Sequence, residues 1–337
     1  MSQPNVLVLR FSALGDILMT IPVLQACALQ HPEVRFTVVS RPYVGKVFAL
    51  LPSNVEFVGI DPRGYKGVAG LWRLYRQLAE LHPTSVADLH DVLRTKVLRM
   101  CFRLFSRVPV RHIVKDRKAR RNFIEASVKT QQCTSFERYA AVFEDLGLRC
   151  PLNDVPAPVL LPDVAKRPAP SVGIAPFAAH EGKIYPLSQM EQVVSLLAAK
   201  GVEVFLFGAG AKERAICEKW AATYPGVTSV VGTLGSMGEE LRLIASLHTM
   251  LTMDSGNMHL AALTSTPVVS IWGATHHLGG FRAWGSSVEQ VIDRPELSCR
   301  PCSTYGNRPC RYGDYRCLAA IAPEQVVERV MRYCSAR

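Results

Sequence analysis

The sequence predicts an α/β protein made of two doubly wound units, each a parallel sheet between layers of helices. Three observations predict it. Short apolar runs alternate with amphipathic stretches along most of the chain. The 337 residues exceed what one hydrophobic core usually supports. The alternation breaks once, across residues 151–170, where six prolines fall in twenty positions and regular structure is disfavoured.

The first unit opens on residues 6–9, a continuous apolar run of buried-strand type. A turn from Arg10 to Asp16 leads into residues 17–30, where Ile17, Ile21, Leu24 and Ala28 recur at helical spacing. Residues 36–39 supply the next strand and complete a βαβ unit, which implies a parallel sheet with a right-handed crossover. Residues 55–60 read as a third strand, 71–81 as an amphipathic helix and 85–89 as a fourth strand. Residues 111–121 form the densest basic run, either a solvated loop or helix face or a docking surface for acidic groups. The proline-rich stretch is the linker.

Beyond it the pattern restarts with strand 171–175, helix 188–200, strand 202–207, helix 213–223, strand 227–231 and helix 237–247. Residues 250–275 organise this half: an apolar run, a polar turn from Asp254 to His259, a short helix, and a second apolar run from Pro267 to Trp272. Asp254 and Ser255 are N-cap residue types, and Gly256 permits a sharp turn. A helix starting past a strand end presents free N–H groups that suit a phosphate, and Asp254 could accept hydrogen bonds from sugar hydroxyls. Residues 323–333 read as a terminal helix begun by a proline.

Ligands of open α/β sheets bind beyond the carboxyl ends of the strands. The candidate residues are therefore Ser12, Gly15 and Asp16 in the first half, and Lys183, Glu213, Asp254, Ser255, Gly256 and His259 in the second. Glycines, hydroxyls, single carboxylates and one lysine suit a phosphorylated, hydroxyl-rich ligand. Gly208-Ala209-Gly210 begins like a dinucleotide fingerprint but has Glu213 where the third glycine belongs. An NAD(P)-dependent oxidoreductase is the alternative that this loop leaves open.

The net charge is +11, with 22 Lys and Arg against 14 Asp and Glu in residues 1–165. A basic first half points to an anionic partner: nucleic acid, an acidic membrane surface or a phosphorylated substrate. No nucleic-acid recognition motif accompanies it. No apolar run approaches the roughly 20 residues of a membrane span. The first residues lack the basic region of a signal peptide, so a cytoplasmic location is expected. The ten cysteines are then thiols or metal ligands. Cys299, Cys302, Cys310 and Cys317 could close a structural zinc site, although their spacing is not that of a zinc ribbon; free or redox-paired thiols are the alternative.

Three separated pieces resemble glycosyltransferase family 9, the ADP-heptose:lipopolysaccharide heptosyltransferases. They are Arg10 to Pro22, with its Gly15-Asp16 pair; Lys183-Ile184-Tyr185-Pro186; and Asp254-Ser255-Gly256 through Ala262, ending in Gly273-Ala274-Thr275. The segment from Cys299 to Val326 is similar to the C-terminal region of that family. The resemblance implies a GT-B fold, two Rossmann-like domains facing a central cleft: residues 1–160 for the acceptor, 161–322 for the nucleotide sugar, and a helix at 323–337 returning to the first domain.

It further implies an inverting, metal-independent transfer from ADP-heptose, or from another nucleotide sugar, to a lipopolysaccharide inner-core acceptor. Asp16 matches the catalytic base and Lys183 the lysine that neutralises the donor phosphates. Asp254 matches the carboxylate that holds the donor sugar. Ser255, Gly256 and His259 match the phosphate-binding turn, and Glu213 loosely matches a ribose contact. Ser12, Gly15, Arg117 and Arg120 are the expected acceptor contacts, and no cofactor is implied. An acidic lipid-linked acceptor would bring peripheral contact with the anionic inner face of the cytoplasmic membrane.

Overall fold

The computed structural model describes residues 3–155 and 159–334. The chain forms two compact units, Met1–Lys115 with Ser135–Leu160, and Asp116–Thr134 with Leu161–Arg337.

The first unit contains β1 (Asn5–Leu9), α1 (Leu14–Leu18), α2 (Thr20–Gln30), β2 (Arg35–Ser40), α3 (Gly45–Phe48) and β3 (Val55–Gly59). It continues with α4 (Gly67–Ala79), β4 (Ser85–Asp88), α5 (Leu93–Cys101) and β5 (Val110–His112). The five strands are parallel in the order β3-β2-β1-β4-β5. Every residue of β1 is buried, as expected of a central strand covered on both faces. Under α4 and α5 the core gathers Leu7, Leu9, Val86, Leu74, Tyr75, Leu98 and Phe102.

The helix expected over 17–30 is two helices that meet at Met19. Pro22 explains the break, because it cannot donate to the carbonyl of Leu18 and its ring would crowd that group. After α5 the chain runs through one π-helical turn, Phe102–Ser106, closed by Arg107 in the left-handed region at φ 54°.

Between β5 and the linker lie α6 (Arg117–Glu125) and α7 (Ser135–Glu144). α7 packs on α2 in the first unit. α6, which carries Arg117 to Arg121 of the basic run, groups with the second unit, while Arg111 to Lys115 belong to the first. The chain passes between the two units at residues 115–116, 134–135 and 160–161.

The second unit holds β6 (Ser171–Ala175), α8 (Leu187–Ala199), β7 (Glu203–Leu206), α9 (Gly210–Thr223), β8 (Val227–Ser229), α10 (Met237–Ser246) and β9 (Thr249–Met253). Then come α11 (Gly256–Ala261), β10 (Val268–Ile271), β11 (Val291–Ile292), α12 (Arg316–Ala319) and α13 (Pro323–Cys334). The order β11-β10-β9-β6-β7-β8, all parallel, is the doubly wound order of a dinucleotide-binding sheet. α13 packs against α8 of the second unit. Val326, Val327, Val330 and Cys334 are buried in the second core, beside Val193, Val194 and Leu197 of α8. The apolar stripe of α13 is satisfied locally, so the helix stays there.

Candidate functional site

Each sheet reverses its winding once, and a crevice opens there beyond the strand ends. In the first sheet the reversal lies between β1 and β4. The turn after β1 carries Asp16, and Arg10 Nη2 reaches its Oδ2 at 2.6 Å. The backbone N–H of Ala13 donates to the same oxygen at 3.2 Å. Arg10 is itself buried, donates from Nη1 to the carbonyl of Leu89 at 2.5 Å, and lies over the ring of Tyr139 at 5.7 Å. One guanidinium thus ties Asp16 to the end of β4.

His90 completes this crevice. Its Nε2 is 3.1 Å from Ser12 Oγ, joining the two loops across the reversal. Asp88 Oδ1 accepts the N–H groups of His90 and Asp91 at 2.9 and 3.0 Å and holds the turn that presents the imidazole. Burial, and then the charge of Arg10, push His90 down to about 3. The ring is neutral at physiological pH and acts as a hydrogen-bonding group. Neither Arg10 nor His90 was among the residues singled out from the sequence. Both lie one or two residues past apolar strands, where the strand-end rule points.

In the second sheet the reversal lies between β6 and β9. Lys183 from the loop after β6 and Asp254 from the end of β9 meet across it, Nζ to Oδ2 at 2.9 Å, with both side chains largely buried. Thr275, from the loop after β10, donates to the same carboxylate oxygen at 2.8 Å. Three separate loops thereby converge on one carboxylate.

Backbone contacts set this geometry. Ala274 N donates to Gly182 O at 2.8 Å, and a Cβ at residue 182 would lie 2.8 Å from that of Ala274, so the close approach requires glycine. Arg300 braces the loop after β10, donating to the carbonyls of Gly273 and Thr275, both at 3.0 Å, and to Asp293 at 2.8 Å. Cys302 N adds a bond to Ala274 O at 2.8 Å. The cysteine-rich segment is therefore a buttress of the lysine–carboxylate site.

Ser255 occupies the N-cap position of α11, and its buried hydroxyl has no hydrogen-bond partner, as for Thr252 Oγ1 on β9 beside it. Buried hydroxyls are ordinarily satisfied, which sets these two apart at the end of β9. Gly256 begins α11 and His259 is buried on it. Glu213 instead bonds back to its own loop, its Oε2 accepting from Ala209 N at 2.7 Å.

Arg117 and Arg120 lie on α6, within the second unit. Arg120 donates to Tyr305 Oη at 2.5 Å and lies over the Phe281 ring at 5.3 Å, while Arg117 is exposed. The zinc site at Cys299, Cys302, Cys310 and Cys317 is not supported. Among the described residues, three potential metal ligands come within 4.8 Å of one another only at His276, His277 and Asp293. The Asp293 carboxylate there is already the partner of Arg300. Cys310 Sγ lies 3.8 Å from Asp314 Oδ1, and Cys302 Sγ 3.5 Å from the carbonyl oxygen of Cys299.

A family model described as glycosyltransferase family 9 (heptosyltransferase) matches residues 99–312. The chain belongs to glycosyltransferase family 9. Lipooligosaccharide heptosyltransferase 2 of Campylobacter jejuni is 21% identical over 327 residues, covering 95% of this chain and 96% of the relative. The crystal structure of a glycosyl transferase family 9 member from Veillonella parvula superposes with a TM-score of 0.74 at 17% identity, covering 99% and 98% of the two chains. The ADP-heptose LPS heptosyltransferase II of Escherichia coli gives 0.70 at 18%, covering 98% of each. The family 9 chain is thus a glycosyltransferase with the two parallel-sheet domains of the GT-B fold. With Glu213 in place of the third fingerprint glycine and bonded into its own loop, the oxidoreductase reading falls away.

Proposed function

We propose that the protein transfers a heptose from ADP-heptose to a lipopolysaccharide inner-core acceptor, with inversion at the anomeric carbon. The reading is carried by the Lys183–Asp254–Thr275 cluster at the strand reversal of the second sheet, in a chain of this family. Lys183 supplies the positive charge that a departing diphosphate requires. Ser255, Gly256, His259 and the unpaired hydroxyl of Thr252 surround the same strand end and would receive phosphate oxygens. Asp254 would exchange the lysine for sugar hydroxyls once the diphosphate takes over Nζ. Glu213 would reach the ribose only by releasing Ala209 N.

In the first unit, Asp16 is the general base. The acceptor hydroxyl oxygen attacks the anomeric carbon, the bond from that carbon to the diphosphate oxygen breaks, ADP leaves, and Asp16 takes the hydroxyl proton. Arg10 and Ala13 N orient the carboxylate through Oδ2. Ser12 and Gly15 flank it as acceptor contacts, and Arg117 and Arg120 are candidates for acidic groups of the acceptor. The lipid-linked acceptor implies work at the cytoplasmic membrane surface. Among the described residues no helix is long and apolar enough to cross a membrane, so that contact would be peripheral.

The test is direct. Purified protein is incubated with ADP-heptose and a heptose-deficient inner-core acceptor, and the product is read by mass spectrometry. A mass gain of one heptose with release of ADP is expected. Transfer from a different nucleotide sugar, with none from ADP-heptose, would replace the donor assignment and leave the reaction class standing.

A further inference from the structure

We propose that the outer face of α4 and α5 with its π-turn is a docking surface for an anionic phospholipid bilayer. The inference rests on the reading of the acceptor as lipid-linked, and it assigns to a particular surface the contact which that reading needs.

The two helices share one layer. Leu74, Tyr75 and Leu78 of α4 pack inward with Leu98, Cys101 and Phe102, and Tyr75 Oη bonds Ser106 Oγ at 2.9 Å. Their opposite sides therefore form one exterior surface, and it is unusually apolar. Val68 is 86% exposed, Trp72 42%, Met100 54%, Leu104 61% and Phe105 60%. Trp72 and Phe105 sit edge to face with ring centroids 5.0 Å apart, joining the two helices into one patch. Val68 stands one turn before Trp72 on α4, and Met100 one turn before Leu104. The π-turn widens the helix so that Arg103, Leu104 and Phe105 are exposed consecutively. Scattered exposed apolar residues are ordinary, whereas a contiguous group holding a Trp and a Phe marks an interaction surface.

Charge selects the occupant. Residues 61–111 carry ten Lys and Arg against four Asp and Glu, a surplus of six out of the net +11 of the whole chain. Of those acids, Asp88 is buried, and Asp91 is paired with Arg99 at 3.1 Å. Lys66, Arg76 and Arg107 are exposed around the apolar group. Aromatic and aliphatic side chains rimmed by cations fit the interfacial zone of an anionic bilayer: the apolar groups enter beneath the headgroups and the cations stay at the phosphates. A protein partner of ordinary composition would not require so one-sided a charge.

Co-sedimentation with vesicles tests the assignment. Vesicles of phosphatidylcholine with phosphatidylglycerol are compared with phosphatidylcholine alone, at low and high salt. Binding only to the anionic vesicles, weakened by salt, is expected. The substitutions Val68→Ser, Leu104→Ser and Phe105→Ser together should lower partitioning at least about tenfold, as should Lys66→Glu with Arg76→Glu. The affected positions are exposed, and unchanged circular dichroism and ADP affinity would verify folding.

In a Trp284→Phe background, which removes the half-buried tryptophan of the second unit, brominated lipid should quench the emission, with the quenching lost on adding Trp72→Phe, because the remaining Trp220 and Trp272 are fully buried. Wild-type protein that ignores anionic vesicles at low salt overturns the proposal. So does binding that survives both sets of substitutions. An oligomer dissolved by the apolar substitutions, without vesicle binding, would reassign the patch to self-association. Normal transfer to a delipidated acceptor without vesicle binding would refute the docking surface alone, while vesicle binding without transfer to any acceptor would refute the enzymatic reading alone.

Discussion

Replacing Lys183 by alanine separates a structural from a ligand-binding role, because the structure predicts a different magnitude for each. The ammonium lies 2.9 Å from Asp254 Oδ2, with the side chains 15% and 8% exposed. Breaking such a pair strands a buried carboxylate supported only by the Thr275 hydroxyl. The cost should lie at the lower end for buried pairs, about 3 kcal/mol, given the residual exposure. For a unit of this size that lowers the melting temperature by about 6–12 °C. Loss of a charged hydrogen bond to the donor diphosphate should separately weaken ADP binding by about 1.5–3 kcal/mol, roughly ten- to 150-fold.

Asp254→Asn in the Lys183→Ala background removes the stranded charge. Stability should then recover while ADP affinity stays weak, and a double-mutant cycle read by denaturation and by titration calorimetry resolves the two effects. Unaltered ADP affinity in Lys183→Ala, together with lowered stability, would show that the lysine serves only its carboxylate partner.

Further outcomes follow from the same two crevices. Asp16→Asn should reduce turnover by about 10²–10⁴ while ADP affinity stays within about twofold, since the group acts on the acceptor proton; near-normal turnover would remove the base assignment. Burial and the charge of Arg10 hold His90 down to about 3 when folded, against 6.5 for a free imidazole, so between those limits the unfolded chain binds the additional proton. Its contribution is complete above pH 6.5 and declines as pH falls, by about 2–3 kcal/mol at roughly pH 4.5. Urea unfolding should show that slope flattened in His90→Gln, and an identical slope would refute the burial argument. Gly273→Ala would bring a Cβ to 2.5 Å from Leu318 Cγ and 2.7 Å from Gly182 O. It should destabilise by about 1–3 kcal/mol and weaken ADP binding with it; a thermal shift experiment with and without ADP reads both.

Much of the architecture was legible in the chain because buried parallel strands are short apolar runs. Ser171–Ala175 and Thr249–Met253 are buried at every position, and the sequence reading placed both. Less legible were α5 and α7, whose apolar positions are interspersed with charges. The basic run at 111–121 was recognised as a unit, yet its side of the molecule was not. That depends on Phe123 finding a partner in His276, at 5.7 Å between ring centroids, 153 positions along the chain. The cysteines show the converse error. Spacing alone suggested a metal site, whereas the backbone of that segment braces the loop after β10 and its sulfurs face other groups.

Local order along the chain thus determined which segments become strands, where the polar turns fall and which side chains stand at strand ends, because backbone hydrogen bonding and apolar periodicity act over a few residues. Asp16, Lys183 and Asp254 stand just past strands that this order picks out. Tertiary structure alone decided who meets whom: Arg10 with Asp16 and Leu89, His90 with Ser12, Lys183 with Asp254 and Thr275. It also decided that α13 stays on the second core. Except for Arg10 with Asp16, these contacts join residues 21 to 79 positions apart, and strand order, which no local pattern encodes, is what brings them together.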